Sequence, residues 1–181
     1  MIRLVRMMIF SFFAIMVVTP TIAKDDSPPT TNQCASDLTQ SNITQTAVLV
    51  WANEAAVSVF SYNFVNYETA LQSASSYFTP DGWSAFSKSS EQTNNLNAVI
   101  EKKLIISAVA TRSPIILQQG ILDGRYSWRV QMPLLVTYQS ASEYAQQSLI
   151  VTMLISRTSP YEGVRGIGIT QFVTEPYKDK K

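Results

Sequence analysis

The chain has 181 residues, with 14 Lys or Arg against 13 Asp or Glu, one cysteine and no histidine. Without histidine there is no imidazole base, no Ser–His or Cys–His nucleophile pair, and no zinc or copper site of the usual ligands. A formal net charge of +1 gives no electrostatic footprint for a nucleic-acid backbone, and the length suits one domain with a real core.

Arg3 and Arg6 precede an apolar run from Met7 to Val18 broken only by Ser11, and Thr21-Ile22-Ala23 follow. A basic start, a short apolar stretch and a small-residue exit form the pattern of a secretory signal peptide. The run is about a dozen residues, against the roughly 20 that span a bilayer as a helix. Export with residues 1–23 removed is the expectation; an uncleaved membrane anchor is the alternative. Residues 24–43 are polar, include Ser27-Pro28-Pro29, and read as a flexible leader. Cys34 within it has no intrachain partner, which leaves a mobile thiol or an intermolecular bridge.

A helix is predicted from Gln45 to Tyr62. Glu54, Ser58 and Ser61 make one narrow polar stripe and nearly everything else is apolar, a wider arc than one packing face requires. The helix either lies in a deep groove of its own domain or also presents a face to a partner. A second helix is expected over Glu68–Tyr77. Thr79-Pro80-Asp81 then supplies an N-cap, a proline at the first helical position and an acid in the first turn, opening a short helix through Trp83 and Phe86. Another helix is expected from Glu91 to about Lys102.

The period then changes. Lys103–Ala110 and Pro114–Leu122 read as strands, and Asp123-Gly124 as a hairpin turn. Tyr126, Trp128, Val130, Met132, Leu134, Val136 and Tyr138 alternate with polar neighbours, a long strand with one buried face. Pro133 marks a bend, bulge or edge near its middle. Tyr144–Arg157 and Arg165–Val173 complete the set, the latter with Ile167, Ile169 and Val173 on one face and Gly166 and Gly168 on the other. Helices followed by antiparallel strands give an α+β fold, N-terminal helices packed on a curved sheet. Residues 44–176 form the domain and 177–181 a polar tail.

None of the acids occupies an inward position on an apolar strand, where burial would tune it for proton transfer. Gly163, Gly166 and Gly168 lack the following helix that a phosphate loop needs. No catalytic, cofactor-binding or metal-binding residues are expected. The candidate contact positions are Trp51, Ala55 and Val59 on the first helix, and Gly166 and Gly168, where missing side chains would admit a helix or a neighbouring chain.

Three strings carry a resemblance: Tyr77-Phe78-Thr79-Pro80-Asp81-Gly82-Trp83; Asp123-Gly124-Arg125-Tyr126-Ser127-Trp128-Arg129-Val130-Gln131-Met132-Pro133-Leu134-Leu135-Val136-Thr137-Tyr138-Gln139-Ser140; and Arg165-Gly166-Ile167-Gly168-Ile169-Thr170-Gln171-Phe172. Together they resemble the IcmL/DotI family of type IVB secretion, related to the TraM proteins of conjugation. The resemblance implies a periplasmic, NTF2-like and VirB8-like domain. It also implies a non-catalytic scaffold or accessory role among envelope secretion or conjugation proteins, with self-association open. The family's core member has a spanning helix, so the short N-terminal signal here suggests a soluble periplasmic paralogue. A periplasmic NTF2-like domain binding a small ligand on its concave face is the alternative.

Overall fold

A computed structural model describes residues 37–92, 95–159 and 164–177. The first half is helical: α1 Gln45–Val59, a two-residue strand β1 Tyr62–Asn63, α2 Tyr67–Ser75, α3 Pro80–Gln92 and α4 Asn95–Glu101. The second half is strand: β2 Ile105–Ala110, β3 Ile115–Leu122, β4 Arg125–Gln139, β5 Tyr144–Arg157 and, after a 3-10 turn at Val164–Gly166, β6 Ile167–Pro176. The α+β order is the expected one. Among the details that differ, α1 ends at Val59 and Tyr62 enters β1, while α3 continues to Gln92 instead of ending near Phe86, so α4 starts at Asn95 and not at Glu91. The expected signal segment 1–23, Cys34 and most of the leader lie outside the described residues, as does the tail from Lys178.

The strands form one antiparallel sheet in the order β1-β2-β4-β5-β6, with β3 also on β4. β4 is its spine. One edge pairs with β5 from Ser127 to Gln139; the other is shared, β3 along Arg125–Gln131 and β2 along Leu134–Gln139. Pro133 sits where the two partners separate. Thr111 donates its amide to the Pro133 carbonyl at 3.1 Å, so the N–H that proline lacks falls where β2 leaves the ladder, a place that tolerates its loss. Asp123 and Gly124 join β3 to β4 with φ of 50° and 74°. Two left-handed residues in succession match the twist of the flanking strands.

Alternation along β4 predicts its face. Trp128, Val130, Met132, Leu134 and Val136 are buried, Tyr126 and Tyr138 are half-buried, and Arg129 is exposed. Val151, Met153 and Ile155 of β5 continue that layer, and α1 fills it from above with Val48, Trp51, Ala52, Ala55, Ala56 and Val59. Thr44 caps α1, its hydroxyl accepting from the Ala47 amide at 3.3 Å. The end of the leader is tied down: the Leu38 carbonyl accepts from the Tyr126 amide at 2.7 Å.

β6 departs from the expected alternation. Ile169 pairs with Ile155 and Gln171 with Leu154, so Thr170 is an extra residue, and its hydroxyl donates to the Leu154 carbonyl at 3.2 Å. The bulge reverses the phase of the strand. Phe172 therefore joins Phe78 and Phe86 at ring distances of 5.8 and 5.5 Å. Val173, expected beside Ile169, is instead exposed.

Candidate interaction surfaces

Two of the family-like strings meet in space. The Thr79 amide donates to the Ile169 carbonyl at 3.0 Å, and the Ile169 amide donates to the Tyr77 carbonyl at 2.8 Å. Phe78 thus forms a parallel bridge with Ile169. The Thr79 hydroxyl accepts from the Gly82 amide at 3.1 Å, capping α3. Gly82 packs so closely on β6 that a Cβ there would collide with the Ile169 carbonyl. A Cβ on Gly168 would sit 3.0 Å from the Thr79 methyl and 3.3 Å from the Thr158 methyl. These glycines let the start of α3 lie directly on the backbone of β6.

That geometry places the predicted contact residues. Gly168 admits a helix start of its own chain. Gly166, with φ of 72°, follows Arg165 at 63° and makes the tight entry to β6. Trp51, Ala55 and Val59 are at most 1% exposed, which corrects their assignment as a contact face: they are core, and the deep-groove reading of α1 holds for them. The breadth of the helix's apolar arc has a different outlet. Leu49 and Val57 are half-buried and Val50 is 54% exposed, so the open apolar side lies one residue away from the face expected.

Three concavities bear on chemistry. One of about 410 Å³ opens among Phe60, Tyr62, Lys102, Tyr138 and Phe172. Burial raises the pKa of both tyrosines there, with the neighbouring Tyr138 adding to the shift of Tyr62. A second, about 780 Å³, runs beside α3 past Asp81, Asp123 and Arg125. The third, about 760 Å³, lies between α1 and β2. Among the described residues no Asp or Glu is buried, and no three of His, Cys, Asp and Glu converge as metal ligands do. The pattern that would favour a ligand pocket, a buried acid beside Tyr or Trp, is not among them. Glu143 pairs with Lys102 at 3.1 Å and Glu54 with Arg165 at 3.7 Å, both at the surface, where such pairs contribute little.

One buried charge escaped the sequence reading. Arg157 is 6% exposed at the end of β5. Its odd number, in phase with the buried Val151, Met153 and Ile155, is the signal that placed it inward. Asp37 carries a carboxyl held below the usual range, chiefly by hydrogen bonds from the Thr39 hydroxyl and amide, with Arg157 a smaller contributor.

A curved antiparallel sheet with helices on one face is the fold of the VirB8-like and DotI-like periplasmic domains. The structure superposes on the periplasmic domain of DotI with a TM-score of 0.74 and 60% identity, covering 76% of this chain and 99% of that one. An IcmL-like type IV secretion system protein from Legionella pneumophila aligns with a TM-score of 0.69 and 30% identity, covering 78% and 99%. A periplasmic fragment of TraM shares the fold, with a TM-score of 0.67 at 20% identity, covering 74% and 98%. The model of the type-IV b secretion system DotI/IcmL family, an inner-membrane complex component, matches residues 5–176. The chain belongs to this family. A comparison with curated protein sequences gave no match. No helix among the described residues is long and apolar enough to cross a membrane.

Proposed function

We propose that the chain works in the periplasm as a non-catalytic scaffold or accessory subunit of a type IVB secretion or conjugation apparatus. In this reading it acts through contacts with other envelope proteins, self-association included. The observation that carries the proposal is the likeness to the DotI periplasmic domain at 60% identity over 99% of that domain.

Export is part of the same proposal: the first 23 residues act as a signal peptide and are removed. An uncleaved N-terminal anchor in the inner membrane is the competing arrangement. N-terminal sequencing of the envelope-associated protein should begin at Lys24; an intact Met1 in washed membranes selects the anchor. Crosslinking in intact envelopes followed by pull-down should recover secretion or conjugation subunits. A chain that crosslinks to nothing and turns over a small molecule overturns the scaffold role.

A further inference from the structure

Among the described residues, β2 is covered on its outer edge at its start alone, where Tyr62 and Asn63 of β1 pair with Ile106 and Ile105. Two hydrogen bonds fix the phase of the rest. Thr111 donates to Pro133 on the β4 side, and Phe64 donates to the Leu104 carbonyl on the opposite side. Even-numbered backbone groups therefore face outward, and those of Ala108 and Ala110 have no backbone partner on that side among the described residues. Above this edge α1 presents Thr46, Leu49, Val50, Asn53 and Val57, one face at three- and four-residue spacing. Helix, strand and the loop to Pro114 enclose the open groove of about 760 Å³. Val50 stands 54% exposed along it, and Arg112 is the one charged side chain among its lining residues.

We propose that this groove accepts an extended segment of another polypeptide as an added antiparallel strand, continuing the line of β1. The segment has apolar side chains at alternate positions and an acidic residue near its N-terminal end. The direction follows from β1, which runs antiparallel to β2, so a strand extending it backwards has its N-terminal end opposite Arg112. Main-chain bonds to Ala108 and Ala110 supply affinity, and the apolar face of α1 selects the side chains. Alanine at both positions keeps the space between strand and helix open. The edge of β3 is poorly suited: it is bulged between Ile116 and Gln118, a break that discourages a continuous added ladder.

This inference rests on the reading of the chain as a protein-contact subunit, and its test is separable from that reading. The probe is a blocked hexapeptide, glutamate followed by alternating valine and threonine, added to the isotope-labelled full chain purified from envelopes. Binding should slow amide exchange at Ala108 and Ala110 and shift the signals of the groove-facing residues of α1. Ala110→Pro removes an outward N–H without touching the β4 ladder and should weaken binding about tenfold, the size of one or two lost hydrogen bonds. Val50→Arg, at an exposed position, should block the groove and serves if the proline variant fails to fold. Arg112→Glu should weaken binding of this acidic peptide and leave a glutamine-headed version unaffected. Absence of peptide binding, binding that leaves the Ala108 and Ala110 amides unchanged, or full affinity in folded Ala110→Pro and Val50→Arg would each overturn the proposal. Envelope crosslinks that persist beside such a result would leave the scaffold role standing and remove the groove alone.

Discussion

The two ends of the sheet are finished in opposite ways. At β6 the chain folds back on itself: Tyr77 to Thr79 bridge to Ile169, α3 begins on top of the strand, and Gly82 and Gly168 remove the side chains that would hold the two apart. At β2 two residues of β1 cover the start of the edge, and among the described residues the rest stays open beneath α1. A free edge is a pairing template, and proteins normally blunt it with charge, proline or a cover. Here one edge is pinned by backbone contact at Ile169 and the other is roofed by a helix. The lesson is that α1 has two faces with separate duties, and neighbouring residues on it should respond very differently to substitution.

The sharpest version of that contrast starts in the core. Trp51→Ala, on the buried face of α1, should cost about 3–5 kcal/mol in denaturant melts. A loss below about 1 kcal/mol would place the helix in the wrong rotation. On the pinned edge, Gly82→Ala drives a methyl into the Ile169 carbonyl and should cost about 1–3 kcal/mol as an overpacked contact; unchanged stability would mean that α3 stands off β6. Thr79→Val keeps the shape but removes the cap of α3, for about 1 kcal/mol.

Alkaline titration probes the open edge, because Tyr62 belongs to β1. Its folded pKa is raised above the unfolded value by burial and by the nearby Tyr138. The neutral phenol's stabilising contribution is therefore present below about pH 10 and is lost as pH rises through the folded pKa. Tyr62→Phe should flatten the fall in stability above pH 10, and an unchanged slope would assign it elsewhere. The smallest effect is expected next to the largest: Val50→Ser, one residue from Trp51 but exposed, should change stability by less than about 0.5 kcal/mol. Equal costs for the two positions would erase the distinction between the faces of α1.

The sequence showed most of the frame because its signals are local. Strict alternation gave β4 and its buried side chains, Asp123-Gly124 gave the hairpin, and Thr79-Pro80-Asp81 gave the start of α3. What it hid depends on pairing between distant segments. The Thr170 bulge is visible only once β5 is set beside β6, and it moved Val173 outward and Phe172 inward. Two residues of β1 carry no period of their own and exist because Ile105 and Ile106 are there to pair with. For α1, composition revealed an apolar arc wider than one face needs, but which part of it is covered depends on where β4 lies. Trp51, Ala55 and Val59, candidate contact positions by composition, are therefore core, and the open side carries Leu49, Val50 and Val57. Arg157 was legible in its odd-numbered phase, and the habit of reading arginine as solvent concealed it.

The bond between Thr79 and Ile169 spans 90 residues of chain, and that span sets an order of events. During synthesis the first strap of the pinned edge exists long before the strand it must meet. Contacts of such separation form late, after the loop between them has been drawn in. Until Gly168 and Ile169 arrive, the glycine-faced start of α3 and the ring of Phe78 have no seat, while the hairpins β3–β4 and β4–β5 can already zip from their own turns. The last strand made is thus the one that closes the core, because Ile167 and Ile169 are buried in it.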